Sequence, residues 1–140
     1  MSIFDAVNHA FSVAATGGFS TKNASIGAYD SWLIEFVAVV FMLLGGMHFG
    51  LIYSTFAERS LKLFRSPITK FYLGTVAVAT VLVSLDLFVH GVEGSFWENI
   101  WNSLFNVVSF ISTTGFGTVD TSVWPSLSIL LLIFLSIQCA

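Results

Sequence analysis

Three long apolar segments constrain the fold of this chain more than any other feature of its sequence. They cover residues 31–57, where Glu35 is the only charge, residues 71–89, where Asp86 is the only charge, and residues 124–140. A helix needs about 20 apolar residues to cross the hydrocarbon core of a bilayer. The first two segments are therefore predicted to span a membrane, and the third to cover most of a crossing.

The composition supports the same class of protein. Charged residues make up only 9% of the chain and hydrophobic residues 56%, whereas about 25% of the residues in an average soluble protein are charged. The net charge of −3, with no basic stripe of interleaved aromatic residues, argues against a nucleic-acid partner. A single cysteine, Cys139, excludes a disulfide within the chain. We expect an all-α membrane protein that contacts lipid.

Two shorter segments, residues 2–15 and 95–112, are apolar but contain Asn, Ser or His. Each opens with a capping pattern, a serine followed three residues later by an acid, and each ends in Thr and Gly. These features predict two re-entrant helices that enter the membrane and stop inside it. Irregular backbone at that depth is tolerated only where it is buried in protein or lines a wet cavity.

The basic residues predict the orientation of the chain. Arg59, Lys62, Arg65 and Lys70 all lie between the first two spans, and loops rich in Lys and Arg face the cytoplasm. Residues 58–70 are therefore predicted to form a cytoplasmic connection, and both Gly-rich loops to open toward the outside.

The order of elements recurs along the chain. Pairing Gly17 with Gly115, an offset of 98 residues, also pairs Thr16 with Thr114. The predicted unit is a span, a pore helix, a Gly-rich filter loop and a second span. Residues 1–57 would hold the last three parts of one unit, and residues 71–140 the next unit with its second span truncated.

The Gly-rich loops predict a site for a potassium ion. A dehydrated K⁺ needs replacement oxygens, which rings of backbone carbonyls supply, and glycine permits the backbone angles that aim them. A preceding helix directs its negative C-terminal end at the cation. The second loop resembles the Thr-Val-Gly-Tyr-Gly filter of potassium channels, and it runs Thr113-Thr114-Gly115-Phe116-Gly117.

The candidate ion ligands are backbone carbonyls, and the loops supply no catalytic residue. When the two loops are aligned with the offset of 98 residues, they differ in one ligand position, because the first loop has Ala15 where the second has Thr113. We therefore expect an asymmetric ring, with Thr16, Gly17, Thr114 and Gly115 as the best ligands. The full predicted set is Ala15, Thr16, Gly17, Gly18, Phe19, Thr113, Thr114, Gly115, Phe116 and Gly117.

Three motifs carry a resemblance to a known family: AATGGFST at residues 14–21, FMLLGGMHF at 41–49 and STTGFGT at 112–118. With them, the chain resembles TrkH-type potassium uptake subunits of the Trk/Ktr/HKT cation transporter superfamily. The resemblance implies four fused channel-like repeats and K⁺ as the transported ion without a bound cofactor. It also implies a homodimer, a cytosolic nucleotide-binding regulatory subunit (TrkA-like) and a multi-pass protein of the bacterial inner membrane. The chain would then be an internal piece, with the gating loop beyond Ala140.

Other functions stay open. One alternative is a less selective K⁺/Na⁺ channel or symporter of the same superfamily, and another is a non-conducting membrane assembly subunit. An enzyme that holds phosphate in the Gly-rich loops is disfavoured, because Lys22 is the only base near them.

Four polar or small positions admit two interpretations each. Asp86 and Glu35 could attract cations, since an acid within a span is a functional candidate, or could reach the interface near the ends of their spans. His9 could handle ions or serve packing. The pair Gly45-Gly46 could form a hinge or allow close helix packing, and we favour packing.

Overall fold

The computed structural model describes residues 1–47, 52–53, 55, 66–91 and 95–138. No β-strand occurs in this part of the chain, which confirms the all-α prediction. Residues 52, 53 and 55 are helical. The helices with described bounds are α1 (Ile3–Ala14), α2 (Trp32–Gly45), α3 (Pro67–Val89), α4 (Phe96–Ile111) and α5 (Ser126–Gln138), with 3₁₀ helices at Ser25–Tyr29 and Thr121–Val123.

The two short helices begin as their capping patterns predict. In α1 the Asp5 amide donates to Ser2 Oγ at 3.1 Å, and the Ser2 amide donates back to the Asp5 carboxylate. In α4 the Glu98 amide donates to Ser95 Oγ at 3.3 Å, and the Ser95 amide donates to Glu98 Oε2 at 2.7 Å. Both capping boxes are complete. The helices differ in length, since α1 has 12 residues and α4 has 16.

Both short helices bury a polar face. Helix α1 buries Asp5, His9 and Ser12, whereas Phe4 and Phe11 are exposed. Helix α4 also buries polar side chains, at four of its buried positions, Asn99, Ser103, Asn106 and Ser109. A surface helix of a soluble protein has the opposite arrangement. The buried polar faces lie where they can hold the loops that follow each helix.

Helix α3 is the long apolar helix of the fold. Among the described residues it alone is long and apolar enough to cross a membrane, and it packs against α4 and α5. It begins at Pro67, a favoured first residue because proline lacks the amide that would be unpaired there. The last residues of the predicted connection at 58–70 are thus helical. Its other basic residues, Arg59, Lys62 and Arg65, lie outside the described residues.

Helix α2 ends earlier than the predicted span over residues 31–57. It stops at Gly45, and residues 46 and 47 form a turn. Two consecutive glycines are poor helix formers, and a Cβ at Gly46 would overlap the Tyr72 hydroxyl of α3. The close approach supports packing as the role of this pair. His48 lies outside the described residues.

The core joins the second half of the chain to α2. Its large, fully buried side chains include Met42 of α2, Leu87 of α3, Phe105 of α4 and Leu132 of α5. Phe116, from the loop after α4, is 1% exposed and belongs to the same cluster. One end of that loop is therefore fixed by apolar packing.

Candidate functional site

The candidate site consists of two Gly-rich segments, loop 1 (residues 15–20) and loop 2 (residues 112–117). In loop 1, φ is 48° at Thr16 and 67° at Gly18, and in loop 2 it is 57° at Thr113 and 82° at Gly115. The residue between each pair has a negative φ. A β-branched residue at positive φ is rare and costs on the order of 1–3 kcal/mol, and such strain concentrates at functional sites.

The hydrogen bonds after the helices give the true register of the two loops. The Thr16 amide donates to Val13 O at 3.1 Å, and the Thr113 amide donates to Phe110 O at 3.1 Å. The next amides in turn donate to Ser12 O and Ser109 O. Every pair is related by 97 residues, so the predicted offset of 98 is wrong by one residue.

The corrected register makes the loops more alike than the sequence alignment did. Gly18, and not Gly17, is the counterpart of Gly115, because these two glycines share the positive φ. Gly17 corresponds to Thr114, and the common pattern is Thr-x-Gly-Phe. The sequence contains this signal, because Phe19 follows Gly18 directly as Phe116 follows Gly115.

Three consecutive carbonyls in each loop are available as ligands. Among the described residues, no donor reaches the carbonyl oxygens of residues 16–18 or 113–115. In a strand successive carbonyls point to opposite sides, whereas alternation in the sign of φ turns them toward one side. Each loop can therefore offer a row of three oxygens to a cation.

Three of the four neighbouring predicted ligands are already hydrogen-bonded. Ala15 O accepts from Thr16 Oγ1 at 2.8 Å, and Phe116 O accepts from Ser109 Oγ at 2.6 Å. Gly117 O accepts from the Gly27 amide at 3.2 Å. The carbonyl oxygen of Phe19, the fourth, accepts from no donor among the described residues, and the Phe19 side chain is 81% exposed. The free oxygens that the two loops share are therefore those of residues 16–18 and 113–115.

The two loops are in direct contact. A Cβ added to Gly18 would overlap the carbonyl oxygen of Thr114 and lie 3.3 Å from the carbonyl carbon of Gly115. Gly18 is therefore constrained twice, by its positive φ and by this approach. At Gly115 no atom of the described residues lies within 4 Å of such a Cβ, so within this part of the chain its backbone angle is what requires glycine there.

The 3₁₀ helix Ser25–Tyr29 holds the C-terminal end of loop 2. The Gly117 amide donates to Ser25 Oγ at 3.3 Å, in addition to the Gly27–Gly117 backbone bond. A Cβ at Gly27 would overlap the carbonyl oxygen of Thr118. Thr118 Oγ1 donates to Asn102 Oδ1 of α4 at 3.3 Å. No sequence pattern predicts the contact between this 3₁₀ helix and loop 2, since it joins residues about 90 positions apart in the chain.

Polar residues of α1 hold the segment after loop 1. Thr21 Oγ1 donates to Asp5 Oδ1 at 2.6 Å, and Ser2 Oγ donates to the other carboxylate oxygen at 2.8 Å. The bond from Thr21, and then that from Ser2, lower the pKa of Asp5 to about 2. The Asp5 carboxylate is therefore ionised at neutral pH.

Comparison with known proteins identifies the family. Residues 1–138 match the family model TrkH, described as a cation transport protein. The chain belongs to the TrkH family. It is 39% identical over 126 residues to the Trk system potassium uptake protein TrkH of Escherichia coli K12, which covers 89% of this chain and 26% of that protein. It is 31% identical over 140 residues to TrkG of the same strain, covering 97% of this chain and 28% of TrkG.

A solved structure of the TrkH family has the same fold. The crystal structure of the potassium transporter TrkH from Vibrio parahaemolyticus aligns with a TM-score of 0.89 at 33% identity. The match covers 96% of this chain and 30% of that one, so the chain spans less than a third of its relatives. The transporter family and the long apolar helix α3 together identify the chain as part of a membrane protein.

Asp86 has a structural position in this TrkH-family chain. It is 8% exposed, and its Oδ2 accepts from Ser128 N at 3.0 Å and from Ser128 Oγ at 2.6 Å. Ser128 lies in the first turn of α5, so Asp86 caps that helix from α3. His90 Nδ1 lies 3.2 Å from Asp86 Oδ1. These contacts favour the anchoring of α5 over cation attraction as the role of Asp86.

Glu35 also makes a contact between helices, because its Oε2 accepts from Trp101 Nε1 at 2.5 Å. Within the described part of the chain, no three His, Cys, Asp or Glu side chains could jointly hold a metal ion. Cys139 lies outside that part. The loop carbonyls are therefore the strongest candidates for a cation site.

Proposed function

We propose that the chain is part of a potassium uptake protein and that its two loops form adjacent segments of a K⁺ selectivity filter. The row of free carbonyls at residues 16–18 and 113–115 carries this proposal. These rows would replace the oxygens that K⁺ loses with its water shell. Helices α1 and α4 end immediately before the loops, so their negative ends favour a cation there.

Two exposed apolar features support further repeats around the same axis. Phe116 of loop 2 is 1% exposed, whereas its counterpart Phe19 in loop 1 is 81% exposed. An apolar groove of about 580 Å³ also opens between α1 and α2, with Ala10, Val13 and Phe41 among its lining residues. In the following repeat, α4 and α5 are the counterparts of α1 and α2, and α3 packs against both of them. A preceding span and neighbouring repeat of the full-length protein would fill both places.

The proposal extends to the setting of the whole protein. The relatives are named potassium uptake proteins of the Trk system, which supports transport of K⁺ rather than catalysis. We place the protein in the bacterial inner membrane as a multi-pass homodimer with lipid around it. A cytosolic nucleotide-binding subunit (TrkA-like) would regulate it, and no bound cofactor would be required.

A less selective K⁺/Na⁺ pathway is the second candidate. One observation favours it: Gly17 occupies the position of Thr114, so loop 1 lacks the hydroxyl that Thr114 carries next to Ser112. Thr114 Oγ1 and Ser112 Oγ lie 2.8 Å apart. Loop 1 cannot form the corresponding bond, because Gly17 has no side chain. The carbonyl row of loop 1 is therefore held less rigidly.

The direct test is Gly115→Ser in the full-length protein. A serine at φ 82° strains the backbone and displaces the row of oxygens. We expect the K⁺/Na⁺ permeability ratio to fall roughly tenfold, the effect of about 1.4 kcal/mol. Reversal potentials in planar bilayers measure the ratio, with Gly74→Ser in the middle of α3 as the matched control. An unchanged ratio for Gly115→Ser contradicts the proposed filter.

A further inference from the structure

His9 is a buried side chain that contacts both Gly-rich loops. It lies on α1 and is 4% exposed. Its Nε2 is 2.9 Å from Ser20 Oγ, at the end of loop 1. Its ring centroid is 5.6 Å from that of Phe116 in loop 2, with 32° between the ring planes. The ring of Tyr29 packs edge-on against the same imidazole at 5.6 Å.

The hydrogen bonds of His9 determine which ring nitrogen carries the proton. Nδ1 lies 2.7 Å from the backbone carbonyl oxygen of Asp5. A carbonyl can only accept, so Nδ1 bears the hydrogen and Nε2 of the neutral ring is an acceptor. Ser20 Oγ therefore donates to Nε2, and it accepts from the Lys22 amide at 3.1 Å. The ring thus holds Ser20 in one orientation.

The two contacts hold each loop shortly after its glycine of positive φ. Ser20 lies two residues after Gly18, and Phe116 directly follows Gly115. Phe116 is held from its other side, because its carbonyl accepts from Ser109 Oγ at 2.6 Å. The imidazole therefore links the ends of both rows of free carbonyls to one rigid helix.

We infer that His9 is a positioning residue that sets the spacing between the carbonyl rows of loop 1 and loop 2, and hence the selectivity among cations. It touches neither the ion nor the free carbonyls. The inference rests on the proposed filter function. It differs from a pure packing role, in which an aromatic ring of similar size would serve equally well.

The test compares His9→Phe, Ser20→Ala and the double variant in the full-length protein. Phenylalanine keeps a ring against Phe116 and Tyr29 but removes both hydrogen bonds. We expect the K⁺/Na⁺ permeability ratio to fall roughly three- to tenfold while K⁺ current persists, as for the loss of one or two buried hydrogen bonds. The double variant should be no less selective than His9→Phe, because both changes break the same link.

His90→Phe is the matched control, since the His90 side chain is 57% exposed and contacts Asp86 rather than the loops. An unchanged ratio in His9→Phe, or losses that add in the double variant, would overturn the inference. If His9→Phe does not fold, the permeability ratio of Ser20→Ala decides alone: a lowered ratio supports the inference, and an unchanged ratio overturns it. A ratio lowered by Gly115→Ser but unchanged by His9→Phe rejects this inference alone. A ratio that neither variant changes rejects the proposed filter.

Discussion

Gly17 and Gly18 are adjacent glycines with different physical requirements. Gly18 has a φ of 67°, and the backbone of Thr114 occupies the space that a side chain at Gly18 would need. Gly17 has a negative φ, and a Cβ there would lie 3.2 Å from the ring of Phe19 and 3.9 Å from Ser12 O, the latter an ordinary contact. The Phe19 ring belongs to a side chain, which can rotate, whereas Gly18 meets a backbone carbonyl, which cannot. Within loop 1, the backbone therefore depends on Gly18.

The pair predicts unequal effects of the same substitution. Gly18→Ala forces an L-residue into a left-handed conformation, at a cost of about 1–2 kcal/mol, and adds the overlap with Thr114. We expect a lower melting temperature of the purified full-length protein and a reduced K⁺/Na⁺ permeability ratio. Gly17→Ala, the matched control, should change both quantities little. Equal losses in the two variants would refute the register of 97 residues.

The helix starts were predictable because their signals are local. Ser2 with Asp5 and Ser95 with Glu98 bond within one turn, so the sequence alone reveals both caps. The end of α2 was not predictable, since Gly46 depends on a close approach by Tyr72 from another helix. The register of the loops was predictable from a local signal, since Phe19 follows Gly18 as Phe116 follows Gly115, but the alignment of Gly17 with Gly115 left these two phenylalanines unpaired.

The cap that α3 provides for α5 gives a prediction about a pair of helices. Asp86→Ala leaves the Ser128 amide and hydroxyl without their acceptor in a buried place. We expect the full-length protein to lose about 1–3 kcal/mol of stability, measured by thermal or chemical unfolding in detergent.

Asp120→Ala is the control for that measurement. Asp120 also accepts from a serine amide, that of Ser122 at 2.9 Å, but within its own exposed turn. The hydrogen bond from the Ser122 side chain, and then that from its amide, hold the pKa of Asp120 below its ordinary value. A stability loss in Asp120→Ala as large as that in Asp86→Ala would argue against a special role for the buried cap.

The two halves of the chain are joined through their loops and the helices beside them. Trp101 of α4 donates to Glu35 of α2, Gly27 bonds to Gly117, and Gly18 lies against Thr114. Each contact links a residue before position 47 to one after position 95. The loops are therefore held in place by the neighbouring repeat as well as by their own helix.

Substitutions at Gly27 and Gly74 test these contacts. Gly27→Ala places a methyl group onto the carbonyl oxygen of Thr118, and the backbone there cannot yield as a flexible side chain could. We expect weaker binding between the repeats, seen as a lower melting temperature and a lower K⁺/Na⁺ permeability ratio. At Gly74 no atom lies within 4 Å of an added Cβ. Gly74→Ala should be neutral or stabilising by up to about 1 kcal/mol, because alanine favours a helix. A fall in melting temperature and permeability ratio as large as that of Gly27→Ala would count against a special role for the contact at Gly27.

The unequal lengths of α1 and α4 have a consequence for the entrance of such a pore. The loops after them share one register, so the four additional residues of α4 extend from its N-terminal end. Four residues of α-helix are about 6 Å long. In the filter that we propose, the rim of the entrance would therefore be about one helical turn higher beside loop 2 than beside loop 1. A flat, symmetric blocking molecule would sit tilted over this entrance, and ions would approach more freely from the lower side.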